Sequence, residues 1–177
     1  MHRSVAVPPR HRLVGGSRRN VAADQGEAEF RAIVVDDVAL LRLGITAVLE
    51  PIGIDVVAET ASGRDVPRLC SEHDAHIVLM GHTSDVPPAD LVQRIRAVNE
   101  PPLVLALLLR THREELASLL ALDVNGLVVR SVQADELALS VERVLKGERV
   151  VAPALLSTLV GAVSATEVED DDELTLT

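Results

Sequence analysis

The chain has 177 residues, which is room for one ordinary domain of about 100 to 150 residues with flanking segments. Hydrophobic residues make up 47% of it, although it has one Phe and neither Trp nor Tyr, so a sizeable core can form and wholesale disorder is excluded. The net charge of −10 excludes a broad nucleic-acid-binding surface, which requires clustered Lys and Arg.

The two ends of the chain differ in composition from its middle. Residues 1–30 contain Pro8-Pro9, Gly15-Gly16 and scattered arginines without a sustained hydrophobic period, so we expect a disordered leader there. Residues 165–177 are crowded with Asp and Glu and predict an acidic tail or linker. The lone Cys70, the lack of a signal-peptide pattern and the lack of an apolar run of about 20 residues predict a cytoplasmic protein without a membrane segment.

Between residues 31 and 150, five short apolar runs alternate with five stretches of helical periodicity. Each apolar run is continuous, as expected of a strand that is buried on both faces of a parallel sheet. Asp36 and Asp37 end the first run, and Gly147 is a C-cap for the last helix. The predicted strands are residues 32–35, 55–58, 76–80, 103–108 and 126–129, and the predicted helices are residues 40–49, 64–72, 89–98, 113–122 and 134–146.

This alternation predicts an α/β fold with a parallel sheet covered by helices on both faces. Five such units in about 120 residues favour the flavodoxin-like (CheY-like) winding, five strands in the order 2-1-3-4-5, over residues 31–150. The functional crevice of that winding lies at the carboxyl ends of the strands, so the residues that follow each strand are the candidate site. Residues 151–164 carry Leu and Val at helical spacing and predict a linker helix.

Asp36 and Asp37 are the most informative polar pair in this pattern. They follow the first strand, where two carboxylates can converge on a hard cation such as Mg²⁺. The alternative is that they are strand-end and cap carboxylates that bind nothing. The pair alone does not decide between these interpretations.

Several segments carry a family resemblance in matching order and spacing: IVVDD at 33–37, VVAETASG at 56–63, HIVLM at 76–80, LDVNGLVVR at 122–130, and the last helix with its exit at 137–151. Together they resemble the receiver domains of response regulators, particularly the branch carried by LuxR/NarL-type transcription factors. The resemblance covers residues 31–153 without a large gap. It implies the receiver fold for that part of the chain.

The chain departs from that family at the positions that carry its chemistry. In the family an Asp directly after the third strand accepts a phosphoryl group, with Mg²⁺ held by the acidic pair, but here Gly81 follows that strand. The switch Thr or Ser maps to Leu108, and the Lys that pairs with phosphate maps to Arg130. Asp85 lies too far along the loop to replace the acceptor. The resemblance thus implies an atypical pseudo-receiver without the phosphorylation switch and without enzymatic activity.

The acidic pair then has two possible roles. Arg130 pairs directly with Asp36 or Asp37, or these two acids retain weak Mg²⁺ binding. No cofactor is required in either case. The histidines have no metal-site spacing with Cys70.

The resemblance implies a phosphorylation-independent module that controls a transcription regulator through protein contacts, as a homodimer formed by the fourth and fifth helices and the strand between them. DNA contact would need a C-terminal domain after Thr177. One alternative is a small-molecule sensor that uses the crevice beside Gly81, bordered by Leu108 and Arg130, where Arg130 meets an acidic ligand. Another is a stand-alone receiver in a phosphorelay. Phosphate acceptance by Asp36 or Asp37 is disfavoured.

Overall fold

The computed structural model describes residues 30–109 and 112–158. These residues form a parallel sheet with helices on both faces, and its strands lie in the order β2-β1-β3-β4-β5-β6. In chain order the elements are β1 (Phe30–Val35), α1 (Ala39–Leu49), a 3-10 turn (Glu50–Ile52), β2 (Ile54–Thr60), α2 (Val66–His73), β3 (Ile77–Met80), α3 (Pro88–Arg96), β4 (Leu103–Leu108), α4 (Arg113–Ala121), β5 (Gly126–Val129), α5 (Ala134–Leu145) and β6 (Val150–Val151).

The hydrophobic core lies on both faces of the sheet because alternate residues of each strand point to opposite sides. Ile33 and Val35 belong to the cluster covered by α2, α3 and α4, whereas Ala32 and Val34 belong to the cluster covered by α1 and α5. These β1 side chains are fully buried, which explains why the strand sequences are continuously apolar. The strands therefore end in a fixed register, and their carboxyl ends meet at one edge.

The predicted winding 2-1-3-4-5 is present, but the prediction of five strands is wrong, because β6 adds a sixth strand beside β5. After α5 the chain turns at Gly147, whose φ is +86°. The Val150 N–H then donates to the Asn125 carbonyl (3.1 Å), and the Ala152 N–H donates to the Leu127 carbonyl (2.9 Å). Pairing satisfies backbone groups that β5 would otherwise present as a free edge.

The C-terminal part of the described chain packs into the domain. Residues 153–158 are helical, within the predicted linker helix 151–164, and Leu155 is fully buried in the same cluster as Leu116 and Leu127. The predicted boundary at residue 150 therefore passes through β6. The rest of the linker helix, the acidic tail 165–177 and all but the last residue of the leader 1–30 lie outside the described residues. Within residues 30–109 and 112–158, none of the helices has the length and apolar character to cross a membrane.

Candidate functional site

The candidate site lies at the carboxyl edge of the sheet, as predicted for this winding. Asp36 and Asp37 follow β1, Gly81 follows β3, and Arg130 follows β5. Because Val35 of β1 is paired with Met80 of β3, Asp36 stands directly opposite Gly81. The structure thus brings four of the predicted site residues together.

Asp36 is fully buried, and donors surround its carboxylate. Its Oδ1 accepts hydrogen bonds from the Val38 N–H (2.8 Å) and from Arg130 Nη2 (2.5 Å). Its Oδ2 accepts from the His82 N–H (3.1 Å). A carboxylate without contact to water needs such partners, because leaving a buried charge unpaired costs about 3 to 5 kcal/mol.

Arg130 forms its ion pair with the buried acid and not with the exposed one. Its side chain is only 15% exposed, and Nη2 lies 2.5 Å from Asp36 Oδ1 but 4.0 Å from Asp37 Oδ1. Asp37 is more exposed, at 32% of its side chain, and its Oδ2 lies 3.9 Å from His82 Nε2. Of the two roles expected for the acidic pair, the described geometry contains the direct pairing with arginine.

Gly81 leaves no free space in the direction of a side chain. A Cβ built on Gly81 would lie 2.8 Å from Asp36 Cγ and 3.1 Å from Asp36 Cβ, and it would be closer still to Asp36 Oδ2. Real Cβ atoms essentially never approach other heavy atoms to within 3.0 Å. The volume in which a residue 81 side chain would begin is therefore filled by the Asp36 carboxylate.

The crevice beside Gly81 differs from the one predicted. A cavity of about 400 Å³ lies between the β3–α3 and β4–α4 connections, with Met80, Leu107 and Leu108 among its apolar lining residues and His82 and His112 among its polar ones. Arg130 does not line this cavity; it borders a separate one of about 330 Å³ next to Leu108. Leu108 borders both cavities, but Gly81 lines only the first and Arg130 only the second, so these two cavities do not join Gly81 and Arg130 as expected. Small-molecule sensing itself stays a prediction.

Arg42 is a site residue that sequence analysis missed. It lies in the first turns of α1, and helical side chains lean toward the N-terminus of their helix, here toward the end of β1. Its Nη1 donates to the Asp36 carbonyl (2.6 Å), and its Nε lies 3.6 Å from Glu59 Oε2 on β2. An arginine six residues after Asp36, on the helix that follows the strand, was the available signal.

Asp85 has a structural role that accounts for its position. Its carboxylate accepts hydrogen bonds from Ser62 Oγ (2.7 Å) and from the N–H groups of Gly63 (2.9 Å) and Arg64 (3.3 Å). These bonds, the Ser62 hydroxyl first, lower the pKa of Asp85 to about 2. The residue joins the β3–α3 connection to the β2–α2 connection, so it is not free to replace the acceptor.

The residues at this edge do not fit a magnesium site. Both oxygens of Asp36 accept hydrogen bonds from protein donors, and a guanidinium occupies the place beside them where a cation would bind. Over the described residues there is no cluster of three His, Cys, Asp or Glu side chains able to hold a metal ion.

Burial raises the pKa of the Cys70 thiol to about 11, which keeps it protonated and unreactive.

The sequence of the chain was compared with those of known proteins. No model of a known protein family matches the chain. The transcriptional regulatory protein DegU of Brevibacillus brevis is 25% identical over 152 residues, which are 83% of this chain and 63% of that protein. The chain therefore spans less than two thirds of the length of this curated relative.

Solved receiver structures superpose on the chain at low identity. A LuxR-family response regulator from an Aurantimonas species is 24% identical, with a TM-score of 0.67 over 79% of this chain and 99% of that one. The isolated receiver domain of RcsB from Salmonella enterica, solved with phosphomimetic BeF3-, is 20% identical, with a TM-score of 0.66 over 72% and 96%. The receiver domain of NarL from Mycobacterium tuberculosis is 21% identical, with a TM-score of 0.63 over 67% and 98%. The chain therefore has the fold of these receiver domains, and the predicted flavodoxin-like (CheY-like) fold is confirmed.

Proposed function

We propose that the chain is a phosphorylation-independent receiver module of a LuxR/NarL-type response regulator and acts through protein contacts. The observation that carries this proposal is Gly81 at the end of β3, with the Asp36 carboxylate filling the space of its missing side chain. A receiver without an acceptor at that position has no group on which a phosphoryl bond can form. Such a receiver would take part in two-component signalling by binding other proteins and not by accepting a phosphoryl group.

The neighbouring carboxylates do not supply a replacement acceptor. Asp36 is fully buried and bonded to three donors, and Asp85 is held by the β2–α2 connection. Leu108, at the switch position, has no hydroxyl to bond a phosphoryl group and is 5% exposed. Asp37 is accessible, but the Arg130 guanidinium, which lies 4.0 Å from it, is already paired with Asp36.

The proposed output is self-association through the face formed by α4 and α5. RcsB dimers bound to DNA show that a protein of similar fold forms dimers. In this chain β6 covers the edge of β5 between those helices, so residues 150–158 would form part of the same contact surface. DNA binding would belong to a further domain, and a cytoplasmic location goes with this proposal.

Treatment with acetyl phosphate and Mg²⁺, followed by intact-mass measurement, tests the proposal. We expect an unchanged mass and an unchanged sedimentation profile, because no acceptor is present. A receiver that keeps the aspartate serves as the positive control in the same reaction. A phosphoryl adduct mapped to Asp37 or Asp85 would contradict the proposal and would favour a working role in a phosphorelay.

A further inference from the structure

The Asp36 carboxylate lies where the first atoms of a side chain at position 81 would lie. It also pairs with the guanidinium of Arg130, the residue that follows β5. We infer that Asp36 is a built-in occupant of the acceptor's place, which closes the site without phosphate or metal, and that Gly81 is the residue that admits it. We call this arrangement the clamp; it consists of Asp36, Gly81, Arg130 and the N–H groups of Val38 and His82.

The clamp is sterically specific. A methyl group on Gly81 would meet Asp36 Cγ at 2.8 Å, and Asp36 cannot turn away without losing donors on both of its oxygens. Gly44 on α1 offers the opposite case, because nothing lies within 4 Å of a Cβ added there. The need for glycine at position 81 therefore comes from the Asp36 side chain and not from backbone conformation, since Gly81 has no positive φ.

The clamp also replaces a cation. Arg130 Nη2 takes one side of Oδ1, while backbone N–H groups take the rest of that oxygen and Oδ2. A divalent ion would have to displace the guanidinium and leave it without its partner in a site where the Arg130 side chain is 15% exposed. The disagreement between these residues and a magnesium site is thus explained by an internal cation.

The consequence is a fixed connection among the ends of three strands. Asp36 follows β1, the His82 N–H follows β3, and Arg130 follows β5. The backbone N–H of Arg130 also donates to the Leu108 carbonyl (2.8 Å) at the end of β4. This inference goes beyond the proposed function, which does not require that Asp36 occupy the place of the acceptor. The proposed function and the clamp can fail separately. The first is tested by the intact mass after acetyl phosphate treatment, and the second by Tm and NMR.

A double-mutant cycle between positions 81 and 36 tests the clamp. In the otherwise unchanged chain, Gly81→Ala should lower Tm by about 4 to 10 °C, because the methyl group overpacks the site. In an Asp36→Ala background the same Gly81→Ala change should cost much less, since the two closest contacts, with Asp36 Oδ2 and Cγ, are removed and the Cβ contact at 3.1 Å remains. Gly44→Ala is the matched control and should leave Tm unchanged or raise it. An equal loss from Gly81→Ala in both backgrounds would overturn the inference.

Nitrogen NMR of the unmodified chain provides a second test that does not depend on a folded variant. The Arg130 guanidinium should show slow rotation and separate Nη proton signals, because Asp36 holds one Nη group. Arg64 is the internal control, since its side chain is 72% exposed and 3.9 Å from the nearest carboxylate oxygen. An Arg130 signal as freely averaged as that of Arg64 would overturn the clamp.

Discussion

Asp85 shows how a polar side chain in a loop can be explained by its neighbours. Ser62 Oγ and the N–H groups of Gly63 and Arg64 stabilise its ionised form and lower its pKa to about 2, from an ordinary value of 3.8. A group whose folded-state pKa is depressed stabilises the fold above its unfolded pKa and loses that contribution as the pH falls toward the folded value. Asp85 therefore contributes stability at neutral pH that disappears in acid.

Asp85→Asn should lower the free energy of unfolding at neutral pH, and its difference from the unmodified chain should disappear between about pH 4 and pH 2. Urea denaturation at a series of pH values measures this difference. Ser62→Ala removes the first donor and should reduce the pH-dependent part without abolishing it. A difference that stays constant across this pH range would refute the assigned role.

Asp36 and Asp37 are adjacent in sequence, yet the fold gives them opposite environments. Asp36 is buried at 0% exposure and paired, whereas Asp37 keeps 32% of its side chain in solvent. Their place at a strand end was predictable from the apolar run before them. The direction of the Asp36 side chain was not, because it depends on the residue after a neighbouring strand, Gly81, which has no side chain.

At the scale of elements, the longer segments were predictable and the shortest was not. β4 was predicted with its observed bounds, Leu103–Leu108, because six consecutive apolar residues define it. β6 has two residues, too few to show a period, and it forms because β5 presents a free edge after the turn at Gly147. Tertiary pairing of this kind leaves almost no local trace in the sequence.

The helical residues 153–158 belong to the same packed unit. Leu155 is fully buried, whereas its neighbour Leu156 is 46% exposed. Leu155→Ala should therefore lower the free energy of unfolding by about 2 to 5 kcal/mol, the range for deletion of a buried leucine side chain. Leu156→Ala is the matched control and should change it by about 0.5 kcal/mol or less. Urea denaturation of both variants measures the contrast, and equal effects would show that this segment is not part of the core.

At the scale of the whole molecule, the site at the end of the sheet is connected through the chain to the surface proposed for self-association. Arg130 begins the β5–α5 connection, and α5 packs on the core face shared with α1. A carboxylate held at the other end of that guanidinium fixes the connection in one arrangement. With the proposed function, this arrangement leads us to expect that self-association depends on the concentration of the chain and not on phosphate.

In the clamp, the Arg130 guanidinium takes the place of a metal ion beside the Asp36 carboxylate. A titration of the isotope-labelled chain with Mg²⁺, followed at the amides of Val38 and His82, tests this most directly, because both N–H groups bond to Asp36. We expect that neither amide signal moves with a saturable dependence at millimolar Mg²⁺. Saturable shifts of both signals would mean that Asp36 leaves Arg130 to bind Mg²⁺, which would contradict the clamp.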